Sequence, residues 1–274
     1  MISLQRYGPW ALITGPTQGI GREFAEELAS AGFQLVLASR SAERLAELAA
    51  DLESRYGLAH RVLVVDLTDP AAPQRLDEGT ADLDIGLLVS NAGSGRPGAL
   101  LDRNLADLLA TTRVNALAPL ELAHRFGRRL VGRGQGGILL VSSMGGLHGL
   151  PWMATDSAAK AFTTNIGEAL RFELRDTGVD VAVLLPGGVD TPVVDRLGLS
   201  REVMPLPLVP ARQAAREGLR ALELRRARHI PGRLFRIAQR LTPRAVSIRA
   251  NARMLAAAAA RVDARERVAS EAVT

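Results

Sequence analysis

Cysteine is absent from this sequence, so the chain forms neither disulfides nor thiolate metal sites. The histidines do not make up for this, because none of the four shows the spacing of metal ligands: His60, His124, His148 and His229. No apolar run approaches the length of about 20 residues that a helix needs to cross a bilayer, and the N-terminus shows no charged-then-apolar export signal. The sequence therefore predicts a cytoplasmic protein that uses no metal.

Lysine is nearly absent as well. Of 34 basic residues, only Lys160 is a lysine, and every other one is an arginine. The compact ammonium of lysine and the planar guanidinium of arginine are not interchangeable. Lys160 is therefore a candidate site residue, and the alternative is a chance survivor on a solvated surface.

The hydrophobic pattern predicts one large α/β domain. The 274 residues are 47% hydrophobic, enough for a substantial core. Short aliphatic runs predict six strands, at 11–14, 34–38, 61–65, 86–90, 138–142 and 179–185. Amphipathic stretches between them predict helices at 19–31, 41–56, 102–113, 117–131 and 155–176. This alternation indicates a doubly wound Rossmann fold whose ligands bind beyond the carboxyl ends of the strands.

A glycine-rich turn separates the first strand from the first amphipathic helix. Glycines at such a turn let the backbone approach a pyrophosphate, which the N-terminus of the helix attracts. The position between strand and helix favours a dinucleotide site over an ordinary turn. The candidate residues are Gly15, Thr17, Gln18, Gly19, Ile20 and Gly21.

The end of the second strand indicates which dinucleotide is bound. NAD-binding chains usually carry an acid there to hold the ribose hydroxyl, whereas this chain has Ser39 and Arg40. Arg40, together with Arg22 in the first helix, offers charge-assisted hydrogen bonds to a 2′-phosphate. The sequence therefore favours NADP(H) over NAD(H), unless both arginines only solubilise the surface.

With these motifs in place, residues 8 to 200 resemble the short-chain dehydrogenase/reductase family. The turn that begins at Thr14, together with Arg40, is most similar to its hydroxysteroid dehydrogenase and long-chain 3-oxoacyl-CoA reductase branch. The resemblance implies that Asn115 anchors a water relay, that Ser143 orients the substrate oxygen and that Lys160 binds the nicotinamide ribose. The resemblance also implies that three further segments contact the cofactor. The adenine is contacted at Asp66 and Leu67, and the floor of the cofactor site is formed by Asn91, Ala92 and Gly93. The nicotinamide amide is held by Pro186, Gly187, Val189 and Thr191.

One position departs from the family pattern. The proton-transferring tyrosine of the family falls on Asp156, four residues before Lys160, and the only tyrosines, Tyr7 and Tyr56, lie in segments predicted to be distant. A carboxyl starts from a pKa of about 3.9, and pairing with Lys160 is expected to lower that pKa further. We therefore expect an ionised carboxylate that is too acidic and too short to replace the phenol.

Three hypotheses follow from this substitution. In the first, the protein is an NADP(H)-dependent oxidoreductase acting on a carbonyl or hydroxyl of an apolar substrate, and a water or His148 supplies the proton. In the second, Asp156 is a base for isomerisation, dehydration or cyclisation, and NADP only shapes the site. In the third, the protein binds the dinucleotide without catalysis, either naturally or because the tyrosine was replaced deliberately.

The remaining segments bear on substrate and partners. Residues 193–209 are rich in Leu, Val and Pro, which favours an apolar substrate, either free or carrier-bound. A helix is predicted at 212–228 and a seventh strand end at 229–232. We assign 1–232 to the dinucleotide-binding and catalytic domain and 233–274 to a basic amphipathic helical tail.

The basic charge of the chain is concentrated at its C-terminal end. Residues 211–274 carry 15 arginines and five acids, whereas the whole chain has a net charge of +5. The tail is expected to pack on the domain or on a second subunit, to attract an anionic carrier such as coenzyme A or an acyl-carrier protein, or to make at most peripheral membrane contact. Nucleic acid is not expected, because no aromatic residues interleave with the arginines. The resemblance implies a homo-oligomer, a dimer or a tetramer, paired through the helices that contain Asn115 and Lys160.

Overall fold

A seven-stranded parallel sheet forms the centre of the protein. The computed structural model describes residues 2–271, so the end of the predicted tail, 272–274, lies outside the described residues. The strand order is β3-β2-β1-β4-β5-β6-β9, and β7 pairs with β8 in a separate two-stranded sheet. The strands are β1 Trp10–Thr14, β2 Gln34–Ser39, β3 His60–Val64, β4 Ile85–Ser90, β5 Gly136–Val141, β6 Val179–Leu184, β7 Val189–Asp190, β8 Val209–Pro210 and β9 Arg228–His229.

Helices connect the strands on both faces of the sheet, as expected for a doubly wound fold. A π-helical turn, Arg113–Leu117, joins α5 to α6. The helices are α1 Leu4–Tyr7, α2 Gly19–Ser30, α3 Ala42–Tyr56, α4 Ala72–Glu78, α5 Leu105–Thr112, α6 Ala118–Arg133, α7 Ala154–Glu173, α8 Pro192–Arg196, α9 Ala211–Glu223, α10 Arg233–Leu241 and α11 Arg244–Glu271.

Two hydrophobic clusters cover the two faces of the sheet. Phe24 of α2 and Leu219 of α9 belong to one cluster, and Leu122 and Phe126 of α6 belong to the other. Every residue of β4, β5 and β6 is buried, because helices lie against both faces of these strands. This explains why the central strands read as continuous apolar runs in the sequence.

The strand order reverses at β1, which defines where a ligand binds. β1 pairs with β2 on one side, where Thr14 lies opposite Ala38, and with β4 on the other, where Ile13 lies opposite Val89. The connections from these strands diverge to opposite faces, so a crevice opens at their carboxyl ends. The predicted dinucleotide residues follow these ends.

Several predicted boundaries were wrong. The last strand is Arg228–His229, not 229–232, and the helix predicted at 212–228 ends at Glu223. The helix predicted from 102 begins at Leu105, because the Asn104 side chain accepts the N–H of Ala106 and caps it. Within residues 2–271, no helix combines the length and apolarity that crossing a membrane requires.

Candidate active site

The glycine-rich turn has the backbone conformation that a pyrophosphate site needs. Gly15 and Gly19 have φ angles of +67° and +57°, which side chains other than glycine rarely allow. A Cβ at Gly21 would lie 2.1 Å from the Gly15 carbonyl oxygen, so only glycine fits there. Gln18 precedes α2 without a side-chain cap, so its side chain does not occupy the first N–H groups of the helix, which are suited to bind an anion.

The floor of the crevice is fixed by a reciprocal hydrogen-bond pattern between β1 and β4. The Thr14 Oγ1 accepts the N–H groups of Asn91 and Ala92, both at 3.0 Å. The Asn91 Nδ2 donates to the carbonyl oxygens of Thr14 at 3.0 Å and Gly15 at 3.1 Å. Asn91 thus holds the glycine turn in place.

At the ribose end, the structure separates the two predicted arginines. Arg40 is exposed directly after β2, but the Arg22 guanidinium donates to Asp51 on α3 at 2.9 Å. A third arginine, Arg196 of α8, lies near Arg40. Loss of hydration lowers the pKa of Arg196, and the charge of Arg40 lowers it further. Arg196 is not among the residues predicted from the sequence, because no local pattern indicates that α8 lies near the residue after β2.

The loops after β3 and β6 carry the residues predicted to contact adenine and nicotinamide. The Asp66 carboxylate accepts the N–H of Thr68 at 2.9 Å, which fixes the turn next to buried Leu67. Thr191 lies over the glycine turn, since a Cβ at Gly19 would be 3.1 Å from its Cγ2. Val189 is buried in the small sheet. These loops therefore enclose the crevice from both ends.

Asn115 is the centre of the polar cluster in the crevice. It is fully buried in the π-helical turn, and its amide exchanges hydrogen bonds with the backbone of Ser94, at 2.6 Å to the carbonyl and 3.0 Å from the N–H. The same Nδ2 donates to the Asp156 Oδ1 at 2.8 Å. The backbone carbonyl of Asn115 accepts a hydrogen bond from the Thr163 hydroxyl at 2.6 Å. Asp156 is thus held from a rigid, fully satisfied amide.

Lys160 lies beside this cluster, with 8% of its surface exposed. Its Nζ donates to the Val141 carbonyl at 3.1 Å, and a Cβ at Gly93 would lie 3.3 Å from the same nitrogen. The expected ion pair between Lys160 and Asp156 was wrong, because the amine bonds a backbone carbonyl and the carboxyl bonds Asn115. The ammonium therefore faces the crevice at the loop after β4.

The expected acidity of Asp156 was also wrong. Burial raises the pKa of Asp156 above its ordinary value of 3.8, against the opposing charge of Lys160 and the hydrogen bond from Asn115. Burial likewise lowers the pKa of Lys160 below 10.5, against the opposing charge of Asp156. Loss of hydration outweighs the mutual attraction of the two groups. Asp156 can therefore hold a proton at a pH where an exposed aspartate does not.

Ser143 begins a 3₁₀ turn, Met144–Leu147, at the carboxyl end of β5. Its Oγ accepts the Gly145 N–H at 3.0 Å and lies 3.5 Å from the Pro186 carbonyl, which the Met144 N–H also approaches at 2.9 Å. Gly187 packs so closely on Met144 that a Cβ would lie 2.7 Å from its sulfur. Ser143 and the loop after β6 are thus locked together.

His148 is not brought together with Asp156 and Lys160. It lines a separate cavity of about 600 Å³ along one side of α7, formed by Ala154, Ser157, Ala158 and Ala161, with Arg244 opposite. Positions spaced by three and four residues share one face of a helix, and Asp156 and Lys160 lie on the other. Burial and the charge of Arg244 lower the pKa of His148. Its placement does not favour proton delivery to the crevice.

The fold and the glycine turn define an α/β enzyme that binds a dinucleotide at the switch point of a parallel sheet. The chain belongs to the short-chain dehydrogenase family, whose model, described as "short chain dehydrogenase", matches residues 9–201. This confirms the resemblance found in the motifs.

Relatives of known function lie in the expected branch. The chain is 33% identical to a 7β-hydroxysteroid dehydrogenase of Collinsella aerofaciens, over 69% of this chain and 72% of the relative. It is 37% identical to a very-long-chain 3-oxoacyl-CoA reductase of Neurospora crassa, over 67% of this chain but only 58% of that longer protein.

Two solved structures share the fold over most of this chain. A 7β-hydroxysteroid dehydrogenase structure superposes with a TM-score of 0.84 at 28% identity, covering 93% of this chain and all of that one. A short-chain dehydrogenase from Sphingobium yanoikuyae, in complex with NADPH, gives a TM-score of 0.78 at 30% identity, covering 85% of this chain and 90% of that one. These comparisons support a nicotinamide cofactor in this family member.

Proposed function

We propose that the protein is an NADP(H)-dependent reductase of apolar ketones, and in reverse a dehydrogenase of the corresponding alcohols, in which Asp156 takes the position of the family tyrosine. The observation that carries this proposal is the cluster in which Asn115 holds Asp156 beside buried Lys160. The names of the relatives, a hydroxysteroid dehydrogenase and a 3-oxoacyl-CoA reductase, support an apolar carbonyl substrate.

The residues of the crevice fit a bound NADPH. The glycine turn, where Gly21 packs on the Gly15 carbonyl with no room for a Cβ, is suited to hold the pyrophosphate at the N-terminus of α2, and the exposed Arg40 is suited to a 2′-phosphate. Lys160, at the loop around Gly93, is suited to hydrogen-bond the nicotinamide ribose. When bound, this cofactor supplies a hydride to the carbonyl carbon.

Asp156 and Ser143 then complete the reduction. Ser143 orients the carbonyl oxygen, which becomes an alkoxide as the carbon gains the hydride. The protonated Asp156 gives its proton to that oxygen through one bridging water, because its side chain is shorter than a tyrosine. The carboxylate that remains is stabilised by the charge of Lys160 and by Asn115, and it takes a new proton from solvent.

A paired assembly is part of this proposal. Leu105 and Leu109, one turn apart on α5, are 67% and 60% exposed, and Phe162 on α7 is 39% exposed. Phe162 lies on α7, which contains Lys160, and α5 leads directly into the π-helical turn that contains Asn115, so these side chains lie on or next to the pairing elements that the resemblance implies. A second copy of the chain would bury them.

A second candidate function uses Asp156 as a base. A buried carboxylate near an ammonium can remove a proton next to a carbonyl and drive isomerisation or dehydration, with no net change in the dinucleotide. The raised pKa of Asp156 favours this candidate as well, because it strengthens the group as a base.

One set of assays tests both candidates. Purified protein is mixed with NADPH and a panel of ketones, and cofactor oxidation is followed by absorbance beside product analysis. For the reductase, the wild type oxidises NADPH, and Asp156→Tyr raises the rate by roughly a hundredfold, the scale of a well-matched proton donor. For the base, product forms without cofactor turnover, Asp156→Asn abolishes it and Asp156→Tyr does not restore it. NADPH binding with no product in any variant contradicts both.

A further inference from the structure

The long helix α11 is attached to the segment that follows the small sheet. Arg265 donates to the Asp195 carbonyl at 3.0 Å, and Arg261 donates to the Gly198 carbonyl at 3.0 Å. Gly198 lets the two segments approach closely, since a Cβ there would lie 2.7 Å from the Ala258 carbonyl oxygen. One side of α11 therefore rests on α8 and the turn after it.

The same helix is also attached to the opposite side of the crevice. Arg96, in the loop after β4, pairs with Asp263 at 2.8 Å and with Glu266. The Arg96 side chain is only 27% exposed. Because α8 and the β4 loop lie on opposite sides of the crevice, α11 crosses over the crevice from one side to the other.

A cavity of about 760 Å³ remains between α11 and the β4 loop. Trp152, Ala256, Ala259 and Ala260 give it apolar walls. Small alanine side chains along the helix leave this volume open, and the aromatic ring of Trp152 offers a broad surface for an apolar ligand.

The loop after β4 runs from the catalytic cluster to this cavity. A Cβ at Gly95 would lie 3.1 Å from the Asp156 Oδ1, whereas Gly98, three residues on, lines the cavity and donates its N–H to the Trp152 carbonyl at 2.8 Å. Three residues span at most about 11 Å, even in an extended chain. A ligand of that length reaches from the carbonyl position into the cavity.

The cavity is also lined by an arginine, Arg103, that has carboxylates near it but no direct ion pair among the described residues. Arg96 already binds Asp263 and Glu266, and Asp102 at the rim is exposed. Among the described residues, Arg103 forms no ion pair, and its Nη1 donates only to the Arg96 carbonyl at 3.0 Å. Burial and the charge of Arg96 lower the pKa of Arg103 more than the charges of Asp107, Glu266 and Asp263 raise it, so a carboxylate in direct contact would offset the lost hydration.

We propose that this cavity is the distal part of the substrate site and takes the far end of an elongated apolar ketone, with a terminal carboxylate on Arg103. The proposal rests on the proposed reductase function. In this site, α11 limits the length of the substrate that fits, and Arg103 binds the substrate carboxylate.

The first test varies the volume of the cavity. Ala260 and Ala257 are both exposed on α11, but only Ala260 lines the cavity. The probes are 9-oxodecanoic acid and butanone, reduced with NADPH. We expect Ala260→Trp to raise KM for the long keto acid by about tenfold and to leave butanone unchanged, because the ring occupies the distal volume. Ala257→Trp is the matched control. Equal behaviour of the two variants overturns the proposal.

The second test varies the charge. The wild type is expected to prefer 9-oxodecanoic acid over its methyl ester by about tenfold in kcat/KM, the scale of one charge-assisted hydrogen bond. Arg103→Gln removes that preference, and Arg253→Gln, on an exposed face of α11, retains it. No preference in the wild type, or its persistence in Arg103→Gln, contradicts the assignment of Arg103.

Binding separates this proposal from the reductase function. Calorimetric titration of the protein with NADP⁺ and 9-oxodecanoic acid needs no turnover. If the wild type reduces no ketone but binds the acid in a manner that Ala260→Trp weakens, the distal site stands and the reductase function fails. If ketones are reduced but the acid binds wild type and Ala260→Trp equally, only the distal site fails.

Discussion

The Asn115 amide donates a 2.8 Å hydrogen bond to the Asp156 carboxyl and, from the same nitrogen, a 2.6 Å bond to the Ser94 carbonyl. Both amide hydrogens are therefore used, and the carboxyl is positioned by a residue that cannot turn away. This geometry gives the Asp156 carboxyl a defined place in the crevice.

The rate of ketone reduction is expected to fall as pH rises through the pKa of Asp156, because only the protonated acid donates. Burial places that pKa above 3.8, so the falling limb begins above the range of an exposed aspartate. Asp156→Tyr moves the limb toward the titration of a phenol near 10. The measurement is kcat against pH for both proteins and for Asp156→Asn. If kcat of Asp156→Asn falls with pH over the same range as that of the wild type, the proton comes from another group.

Arg40→Ala is expected to weaken NADPH binding by about ten- to a hundredfold and to leave NADH binding nearly unchanged, since the lost charge-assisted bonds involve the 2′-phosphate. Arg44→Ala, one turn further along on the exposed side of α3, is the control. Fluorescence titration with each cofactor measures the effect. Equal losses for NADPH and NADH point to a general effect on the fold instead.

Gly21→Ala is expected to destabilise the protein and to abolish dinucleotide binding, because the new Cβ would lie 2.1 Å from the Gly15 carbonyl and 2.5 Å from the Asn91 amide. Gly132→Ala, inside α6 with nothing within 4 Å of the new Cβ, is expected to stabilise by roughly 0.5–1 kcal/mol. Urea unfolding and cofactor titration compare the two. A Gly21→Ala protein with normal affinity for NADPH refutes the close approach.

Glu217 is expected to stabilise the junction of α9, β9 and α10 except in acid. Although burial alone raises its pKa, hydrogen bonds from Gln213, His229, Arg236 and the Gly232 N–H lower the pKa to about 2. Since the folded value is below the unfolded value of 4.5, this stability is present above pH 4.5 and is lost as pH falls toward 2.

Glu217→Gln should therefore cost about 3 kcal/mol of unfolding free energy at neutral pH, and the cost should shrink in acid. Glu173→Gln, exposed on α7, is the control. Urea unfolding at several pH values provides the comparison. A cost that does not change with pH excludes ionisation of Glu217 as its source.

The positions of the strands along the chain and the glycine-rich turn could be predicted because both leave local patterns. Apolar runs locate β4 and β6 to within a residue or two. The spacing of the glycines after β1 is typical of a tight turn before a helix, and Gly15 and Gly19 have the positive φ angles of such a turn. The family match over residues 9–201 confirms that these local signals were sufficient.

The chemistry of the crevice could not be predicted, because it depends on burial. Four residues along a helix predict an ion pair between Asp156 and Lys160, but the sequence does not show that Val141 and Asn115 provide the hydrogen-bond partners. For the same reason, the expected pKa of Asp156 had the wrong direction. Contacts such as Arg96 with Asp263, 167 residues apart, leave no local pattern either.

Two of the contacts that fasten α11 end on the main-chain carbonyls of Asp195 and Gly198. Every amino acid supplies such an oxygen, so the side chain at position 195 can change during evolution while the attachment persists. Gly198 is the exception, because its missing side chain permits the approach of Ala258. The attachment of α11 therefore depends on the identity of residue 198 but not on that of residue 195.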